Sequence, residues 1–329
     1  VADYYVKQTK GILFDVLLPV ESGFNSIADN VGEMRNRGWE LAINTKNISG
    51  THFTWESGFN ISQNRNKVTS LPVATGGFLI NGGAANQFYT ILMEGQPVNS
   101  YYLLPTAGIY QTNEEASKAP IPPLADGANT GVAGDLKWID KNGDGRIDIN
   151  DRELMGTPLP IFTGGFNNTL TYKNFSLDFL IQFSWGNKLF NALKNELNYR
   201  LDTGNKTTDL LDAWSPTNPG GRWPRNKWDD YRRNGHVFQS PADIYLENGS
   251  YTRLKAATLS YRLPAGVAKR LGMGSARLYV AGNNLLTFTK YTGYDPESMN
   301  LSYTATYAGV DRGNPPLQRT VSAGFSVQF

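Results

Sequence analysis

The sequence predicts an all-β fold, a transmembrane antiparallel β-barrel to which this chain contributes about eight strands. Apolar and polar residues alternate over segments of about 9 to 11 residues, the length that a tilted membrane strand needs. The connections alternate between long and short along the chain, as in barrels with short periplasmic turns and long extracellular loops. Although 40% of the residues are hydrophobic, no run reaches the ~20 apolar residues of a membrane-spanning helix.

The first three strands are predicted from alternation on either side of one short turn. A short strand is expected over residues 1–8, and Trp39, Leu41 and Ile43 mark a second. A third contains Phe53, Trp55, Phe59 and Ile61, each followed by a polar residue, as alternation along a strand requires. Residues 47–50 form the short turn, whereas residues 9–30 and 68–160 are expected to be long links.

The middle two strands are predicted over residues 161–172 and 175–185, joined by the two-residue turn 173–174. In the second of them one face is apolar and the other mainly polar, with Leu180 as the exception on the polar face. A long link, residues 189–249, follows. We expect the apolar face to meet lipid and the polar face to line a lumen. The assignment of each residue rests on the alternation, because a slip of one residue would reverse every side chain. The lipid-facing set is Phe179, Ile181, Phe183, Phe325 and Val327, and the lumen-facing set is Asp178, Gln182, Ser326 and Gln328.

The last three strands are predicted over residues 251–263, 276–288 and 320–329. In the first of these the apolar phase slips between Arg253 and Leu254, which indicates a β-bulge. A helical turn is expected within residues 264–275, and residues 289–317 form the last long link. Phe329 is expected on the periplasmic side, where it and the alternating residues before it would act as the signal for outer-membrane assembly.

Charge and residue usage exclude several classes of function. The chain has 31 Lys and Arg against 29 Asp and Glu, which is no basic excess of the kind that marks a nucleic-acid partner. It has no cysteine, so disulfides, thiolate metal sites and cysteine nucleophiles are excluded. Its two histidines, His52 and His236, are isolated, and Glu114 and Glu115 form a solvated pair. We therefore predict that the chain is not an enzyme.

One segment, residues 140–151, has the spacing of a calcium-binding loop inside the long link 68–160. Its predicted ligands are Asp140, Asn142, Asp144, the main-chain carbonyl of Arg146, Asp148 and Asp151. Gly145 occupies the position of the sharp turn, and Ile147 is expected to point into the packing. Position 12 holds Asp151, which is one methylene shorter than the usual Glu. The prediction is a structural Ca²⁺ site, and the alternative is a Gly/Asp-rich turn that holds no ion.

Aromatic and arginine residues on the long links form two further candidate groups. The aromatics could stack on sugar rings or clamp a peptide, but for any one of them packing between loops or a place in an interfacial girdle is favoured. They are Tyr101, Tyr102, Trp214, Trp223, Trp228 and Tyr231. The arginines could attract an anionic substrate, but Asp229 and Asp230 lie among them, which favours a solvated ion-pair network. They are Arg222, Arg225, Arg232 and Arg233.

Several motifs, in order along most of the chain, resemble the SusC/RagA-like TonB-dependent transporters. The resemblance is carried by residues 4–5 and 10–13, by the NVGE stretch from Asn30 to Leu41, and by residues 134–137 and 140–145. It continues through residues 156–160, 162–168, 213–219 and 281–286. The resemblance implies a barrel of about 22 strands, of which this chain would be the C-terminal part. A plug domain and a TonB box would lie outside these residues, and the opening residues lack the features of a signal peptide.

The resemblance implies active import of large nutrients, oligosaccharides or oligopeptides, across the bacterial outer membrane. The implied partners are a SusD-like surface lipoprotein lid, TonB, the remaining barrel and plug of the same transporter, and outer-membrane lipid. An alternative reading is a secreted β-rich glycan-binding module, a sandwich with a calcium-stabilised loop. A purely structural or adhesive barrel is a third possibility. The residues alone do not distinguish a glycan cargo from a peptide cargo.

Overall fold

The computed structural model describes residues 1–17, 23, 26–71, 78–81, 90–122, 131–199, 205–226, 242–297 and 308–329. Its strands, in chain order, are β1 (Ala2–Leu17), β2 (Ser26–Ser49), β3 (Phe53–Ser70), β4 (Phe78–Asn81), β5 (Thr90–Met93), β6 (Ser100–Leu103), β7 (Thr106–Ile109), β8 (Leu136–Trp138), β9 (Glu153–Leu154), β10 (Phe162–Tyr172), β11 (Phe175–Trp185), β12 (Lys188–Asn191), β13 (Leu246–Asn248), β14 (Tyr251–Arg262), β15 (Ser275–Thr289), β16 (Val310–Asp311) and β17 (Thr320–Gln328). Its α-helices are α1 (Asn113–Ser117), α2 (Ala192–Tyr199) and α3 (Ala265–Arg270). None of the described helices is long and apolar enough to cross a membrane.

Eight antiparallel strands form one large sheet in the order β1-β2-β3-β10-β11-β14-β15-β17. Strands that follow one another along the chain are neighbours in the sheet, apart from the small strands of the long loops. All eight predicted strands are therefore confirmed, in the predicted order. The all-β fold is also confirmed.

The short connections lie at one end of the sheet, which we call the short-turn end, and the long loops lie at the opposite end, the long-loop end. The N–H of Gly50 donates to the carbonyl of Phe53 at 2.9 Å and closes the turn between β2 and β3. Between β10 and β11, Lys173 adopts a positive φ of 52°, as two-residue hairpins require. The helical turn predicted between β14 and β15 is confirmed as α3.

One predicted link and the predicted position of one bulge are wrong. The link predicted over residues 9–30 is mostly strand, because β1 and β2 continue to pair from Lys10↔Glu33 to Leu17↔Ser26. The extension passes through a register shift at Gly11, whose φ of +66° interrupts the alternation that marks a strand in sequence. The predicted bulge exists but lies at Lys255, where the pairing with β11 and β15 shifts, rather than between Arg253 and Leu254.

The loops at the long-loop end carry small sheets and their own hydrophobic cores. The small sheets pair β4-β5-β6-β9, β7-β8 and β13-β12-β16. One core includes Tyr101, Phe190, Trp223 and Tyr245, and a second includes Leu136, Trp138 and Ile147. The largest fully buried apolar side chains belong to these loops, so the described parts of the loops are packed structure.

Candidate functional site

One face of the large sheet is apolar and exposed. Phe325 is 76% exposed and Leu177 is 39% exposed, and among the described residues no second sheet packs against this face. A β-sandwich would bury these side chains between two sheets. The alternative reading as a sandwich module is therefore wrong for the fold. An apolar surface of this size needs a non-aqueous partner.

Aromatic side chains gather at both ends of the apolar face. At the short-turn end one cross-strand row runs over six strands and consists of Phe53, Tyr172, Phe175, Tyr261, Leu278 and Phe325. Toward the long-loop end lie Trp39, Phe162, Trp185 and Phe288. Rings within each group are in contact range, with centroids 4.6 Å apart for Phe175 and Tyr261 and 6.2 Å apart for Trp39 and Phe162. Between the two groups the face carries aliphatic side chains together with further aromatics such as Phe59, Phe166 and Phe179. An apolar face with aromatic residues at both ends is expected of a membrane-facing barrel wall.

The opposite face is polar and rich in amides and hydroxyls. Asn66 donates to Asn36 at 2.9 Å, and its own oxygen accepts from the N–H of Val98 in the loop above. Nearer the short-turn end, the carboxylate of Asp178 accepts from the hydroxyls of Thr169 at 2.8 Å and Ser176 at 3.3 Å. Amides offer both donors and acceptors without net charge. This face suits a polar, hydrogen-bonding path better than a strongly charged one.

The alternation of side chains along β10 and β11 is the one predicted. Asp178 shares its face with Thr169, its direct partner across the pair, and Ile181 shares the other face with Phe166. Leu180 points to the polar side, where its methyl carbon lies near Gly165. The assignment of the two faces, though not yet of what covers them, follows from this register.

The predicted loop aromatics mostly hold the loops together. Tyr101 is fully buried and its hydroxyl donates to the carbonyl of Gly309 at 2.7 Å. Trp223 is buried and stacks on Tyr245 with centroids 5.9 Å apart. Both are too enclosed to stack on a ligand, so the packing interpretation holds for them.

Two further aromatics are only half-buried, and two lie outside the described residues. Tyr102 donates weakly to Ile149 at 3.4 Å, and the indole N–H of Trp214 donates to Gln111 at 3.1 Å. Trp228 and Tyr231 fall in the range that the structure does not describe.

The arginine group is not brought together as one patch by the described residues. Arg225 pairs with Asp135 at 2.5 Å, and both side chains are largely buried, whereas Arg222 lies over the ring of Trp223 at 5.6 Å. The ion pair expected here is therefore buried, and its acid comes from a distant loop. Arg232, Arg233 and the acids Asp229 and Asp230 lie outside the described residues.

The candidate calcium loop adopts a series of tight turns in which its own side chains accept main-chain hydrogen bonds. Asp140 accepts from the N–H groups of Gly143 at 2.7 Å and Gly145 at 2.8 Å, and Asp144 accepts from Arg146 at 2.8 Å. Asp151 is fully buried and accepts from Lys141 and Asp148 at 2.9 and 2.8 Å. Asn142 accepts from Asp144, and Asp148 caps the short 3-10 turn Ile149–Asp151.

This loop is anchored to its surroundings, but its carboxylates do not converge on one point. Ile147 is buried in the second loop core, as expected, and its N–H donates to the carbonyl of Ile121 at 2.9 Å. In the part of the chain that the structure describes, no three or more His, Cys, Asp or Glu side chains are grouped as metal ligands. Calcium binding therefore stays a prediction.

Burial shifts the pKa values of several loop residues. It raises the pKa of Tyr110 to about 12 and raises the pKa values of Tyr101 and Tyr291 still further. Burial also lowers the pKa of Arg152 to about 10. At neutral pH these phenols stay protonated and this guanidinium stays charged, so none of the four exchanges a proton there.

A buried ion network on the polar face was missed by sequence reasoning. Arg253 is 2% exposed and donates to Asp295 at 2.5 Å, to Glu297 at 2.8 Å and to Thr287 at 3.0 Å. Lys255 also binds Glu297, at 3.0 Å. The acids lie 42 and 44 residues from Arg253, beyond β15, so no local spacing announces the contact.

Comparisons with known proteins find relatives along the whole chain. It is 37% identical to TonB-dependent receptor P3 of Formosa agariphila over 335 aligned positions, which cover 99% of the chain and 32% of that protein. It is 27% identical to TonB-dependent receptor SusC of Bacteroides thetaiotaomicron, covering 99% of the chain and 30% of SusC. The solved RagAB peptide transporter matches with a TM-score of 0.73 and 28% identity, over 100% of this chain and 33% of that one. No family model matches. The chain thus spans about a third of the length of these relatives.

Proposed function

Over the roughly one third of its relatives' length that it spans, the chain belongs to the SusC/RagA-like family of TonB-dependent receptors, and we propose that it forms part of a receptor that imports large nutrients across the bacterial outer membrane. The observation that carries the proposal is the two-faced sheet. Its exposed apolar face has aromatic residues at both ends and fits a bilayer, while its amide-rich face fits a polar path.

The length of one strand, β11, agrees with a place in the membrane. From Phe175 to Trp185 the strand advances ten residues, or ~33 Å at ~3.3 Å per residue. Inclined at ~40° to the membrane normal, it spans ~25 Å, the height of the apolar band of outer-membrane barrels.

We propose that the cargo is a large, polar oligomer, either an oligosaccharide or an oligopeptide. The amides of the polar face can bind hydroxyls or peptide groups equally well. One solved relative is a peptide transporter, which supports the peptide option without excluding the other. The proposed partners are a SusD-like surface lipoprotein as lid, TonB as the energy source, and the plug and remaining strands of the same receptor.

The proposal is tested with the full-length receptor in cells and after purification. We expect it in the outer-membrane fraction, soluble only with detergent, and associated with a lipoprotein lid. Uptake of labelled oligosaccharides and oligopeptides is then compared in cells with and without the receptor and with and without TonB. Solubility of the intact receptor without detergent, or uptake that ignores loss of TonB, would contradict the proposal.

We further propose that residues 140–151 bind Ca²⁺ in a structural role on the extracellular side. The support is the ligand spacing and the fact that each carboxylate has about four lone-pair sites, of which Asp140 and Asp151 each use two for main-chain N–H groups. Their remaining lone pairs could serve an ion. Because the side chains are not grouped as ligands in the described loop, they would have to converge on binding.

A calcium titration of the purified receptor tests this site, with an expected dissociation constant of ~10⁻⁴ to 10⁻³ M. Asp144→Ala should abolish the binding. The matched control is Asn150→Ala, an exposed loop residue outside the predicted ligand set, which should leave it intact. Equal binding by both variants would mean that the segment is a turn and nothing more.

A further inference from the structure

We propose that Arg253 is a positioning residue that fastens two described segments of the connection between β15 and β17, residues 291–297 and 309–317, over the polar face of the sheet. The inference rests on the proposed function, because it takes the polar face as the wall of the import path. The contacts that carry it lie on three segments: the start of β14, residues 291–297, and residues 309–317.

Arg253 points to the polar side of the sheet. It pairs with Gln182 of β11 and Thr287 of β15, and Gln182 belongs to the polar face. Its Nε donates to the hydroxyl of that same Thr287 at 3.0 Å. The guanidinium therefore lies on the polar side, two residues inside the strand ends at the long-loop end.

Residues 295–297 turn back toward the sheet and reach this guanidinium. Asp295 and Glu297 bind its two terminal nitrogens, and Asp295 is 4% exposed. An arginine fork that holds two carboxylates fixes their orientation as well as their distance. Residues 295–297 are thereby held over the sheet at the level of Arg253.

The returning segment, residues 309–317, is held as well as residues 291–297. The second oxygen of Asp295 accepts from the N–H of Leu317 on the returning arm at 3.0 Å. Farther out, the hydroxyl of Tyr291 donates to buried Asp311 at 2.5 Å, and β16 pairs with β12. Arg253 thus ties these contacts to the large sheet, where Lys255 of the same strand also binds Glu297.

The energetic consequence follows from burial. Loss of Arg253 removes the cation that the buried carboxylate of Asp295 binds, which weakens the fastened arrangement roughly a hundredfold to several thousandfold. Lys255 differs, since its side chain is 30% exposed and contacts only Glu297 among these acids. Its loss should change little.

The test is limited trypsin digestion of the full-length receptor, which needs no transport substrate. Cleavage after Arg312, which follows β16 on the returning arm, reports release of the loop. We expect Arg253→Met to speed this cleavage at least about tenfold, Lys255→Met to change it less than about threefold, and Arg253→Lys to restore part of the protection. Asp295→Asn, which keeps the shape of the acid, should resemble Arg253→Met.

Two controls keep the outcomes separate. The gel mobility of unheated receptor shows that the barrel is folded, and if Arg253→Met does not fold, Asp295→Asn decides the question. If transport is the function, Arg253→Met should also raise the substrate concentration needed for half-maximal uptake, while Lys255→Met should not. Unchanged cleavage in a folded Arg253→Met or Asp295→Asn receptor overturns the fastening and leaves the transport proposal intact. Faster cleavage without any uptake in the wild type overturns transport alone.

Discussion

The placement of the two faces predicts that adjacent residues of β11 lose different amounts of stability on the same substitution. Leu180 and Ile181 are isomeric aliphatic side chains, and both are half-buried. Leu180 points to the polar face beside Gly165, whereas Ile181 pairs with Phe166 on the apolar face. Replacing each with lysine in the full-length receptor removes a similar apolar side chain and adds the same charge. The difference between the two variants therefore isolates what each face meets.

The depth of Ile181 in the membrane sets the free-energy cost of Ile181→Lys. It lies six residues from Phe175 and four from Trp185, the aromatic ends of its strand. At ~3.3 Å per residue and a tilt of ~40°, these separations correspond to ~15 and ~10 Å along the membrane normal. Ile181 is then close to the midplane, where a lipid-facing lysine costs ~2 to 4 kcal/mol. That cost raises the unfolded fraction roughly thirty- to several-hundred-fold.

The assay is urea unfolding of the purified receptor in lipid vesicles, followed by tryptophan fluorescence, together with the amount of receptor in outer membranes. We expect Ile181→Lys to lower the free energy of unfolding by the amount above and to reduce the folded receptor in cells. Leu180→Lys should cost less than ~1 kcal/mol, because its ammonium can reach the polar path. Equal costs for the two variants, or a larger cost for Leu180→Lys, would refute the assignment of the faces.

Three further predictions use matched positions. Gly164→Ala should destabilise the sheet, because its new Cβ would lie 2.3 Å from a backbone oxygen of β3, whereas Gly165→Ala, with its nearest contact at 3.5 Å, should be tolerated; thermal unfolding compares the two. Tyr101→Phe should cost ~1 kcal/mol, because it removes the hydroxyl that donates to the carbonyls of Lys188 and Gly309, and Tyr102→Phe, which loses only a 3.4 Å bond, should cost nothing measurable in the same assay. Burial raises the pKa of Asp243, so the folded loops bind its proton more tightly than the unfolded chain does. The stability of the folded loops should therefore increase as pH falls through the raised pKa of Asp243 toward the ordinary value of ~3.9, and this gain should be lost as pH rises. The protease resistance of Asp243→Asn, which has no such proton, should not depend on pH in this way.

The large sheet was predictable because its strands obey a local rule. Alternation along β11 marks both its bounds and its faces without knowledge of any neighbour, and the short turns locate its partners. The extension of β1 and β2 was not predictable in this way. Beyond Gly11 apolar residues occur at consecutive positions, as in Ile12, Leu13 and Phe14, so the sequence there shows no clear period of two.

The loops were less predictable because their contacts are distant in sequence. The aromatic character of Tyr101 and Trp223 was visible, but only the three-dimensional packing shows that Tyr101 reaches a carbonyl 208 residues away. Arg225 likewise finds its acid at Asp135, not among the neighbours that the sequence offered. The sequence identifies residues that could bind a ligand, but only the fold shows which of them already contact other residues of the chain.

The bulge at Lys255 separates the part of β14 that contacts residues 295–297 from the part that contributes to the apolar face. Because β14 gains one residue there relative to its neighbours, Leu259 and Tyr261 lie on the apolar face although they share the parity of Arg253 in sequence. Without the extra residue, a strand with Arg253 on the polar side would place Leu259 on the polar side as well. The bulge therefore lets one strand present a buried cation to residues 295–297 at one end and side chains of the apolar face at the other. Deleting Lys255 should force one of these two placements to fail, a larger effect than removing its charge.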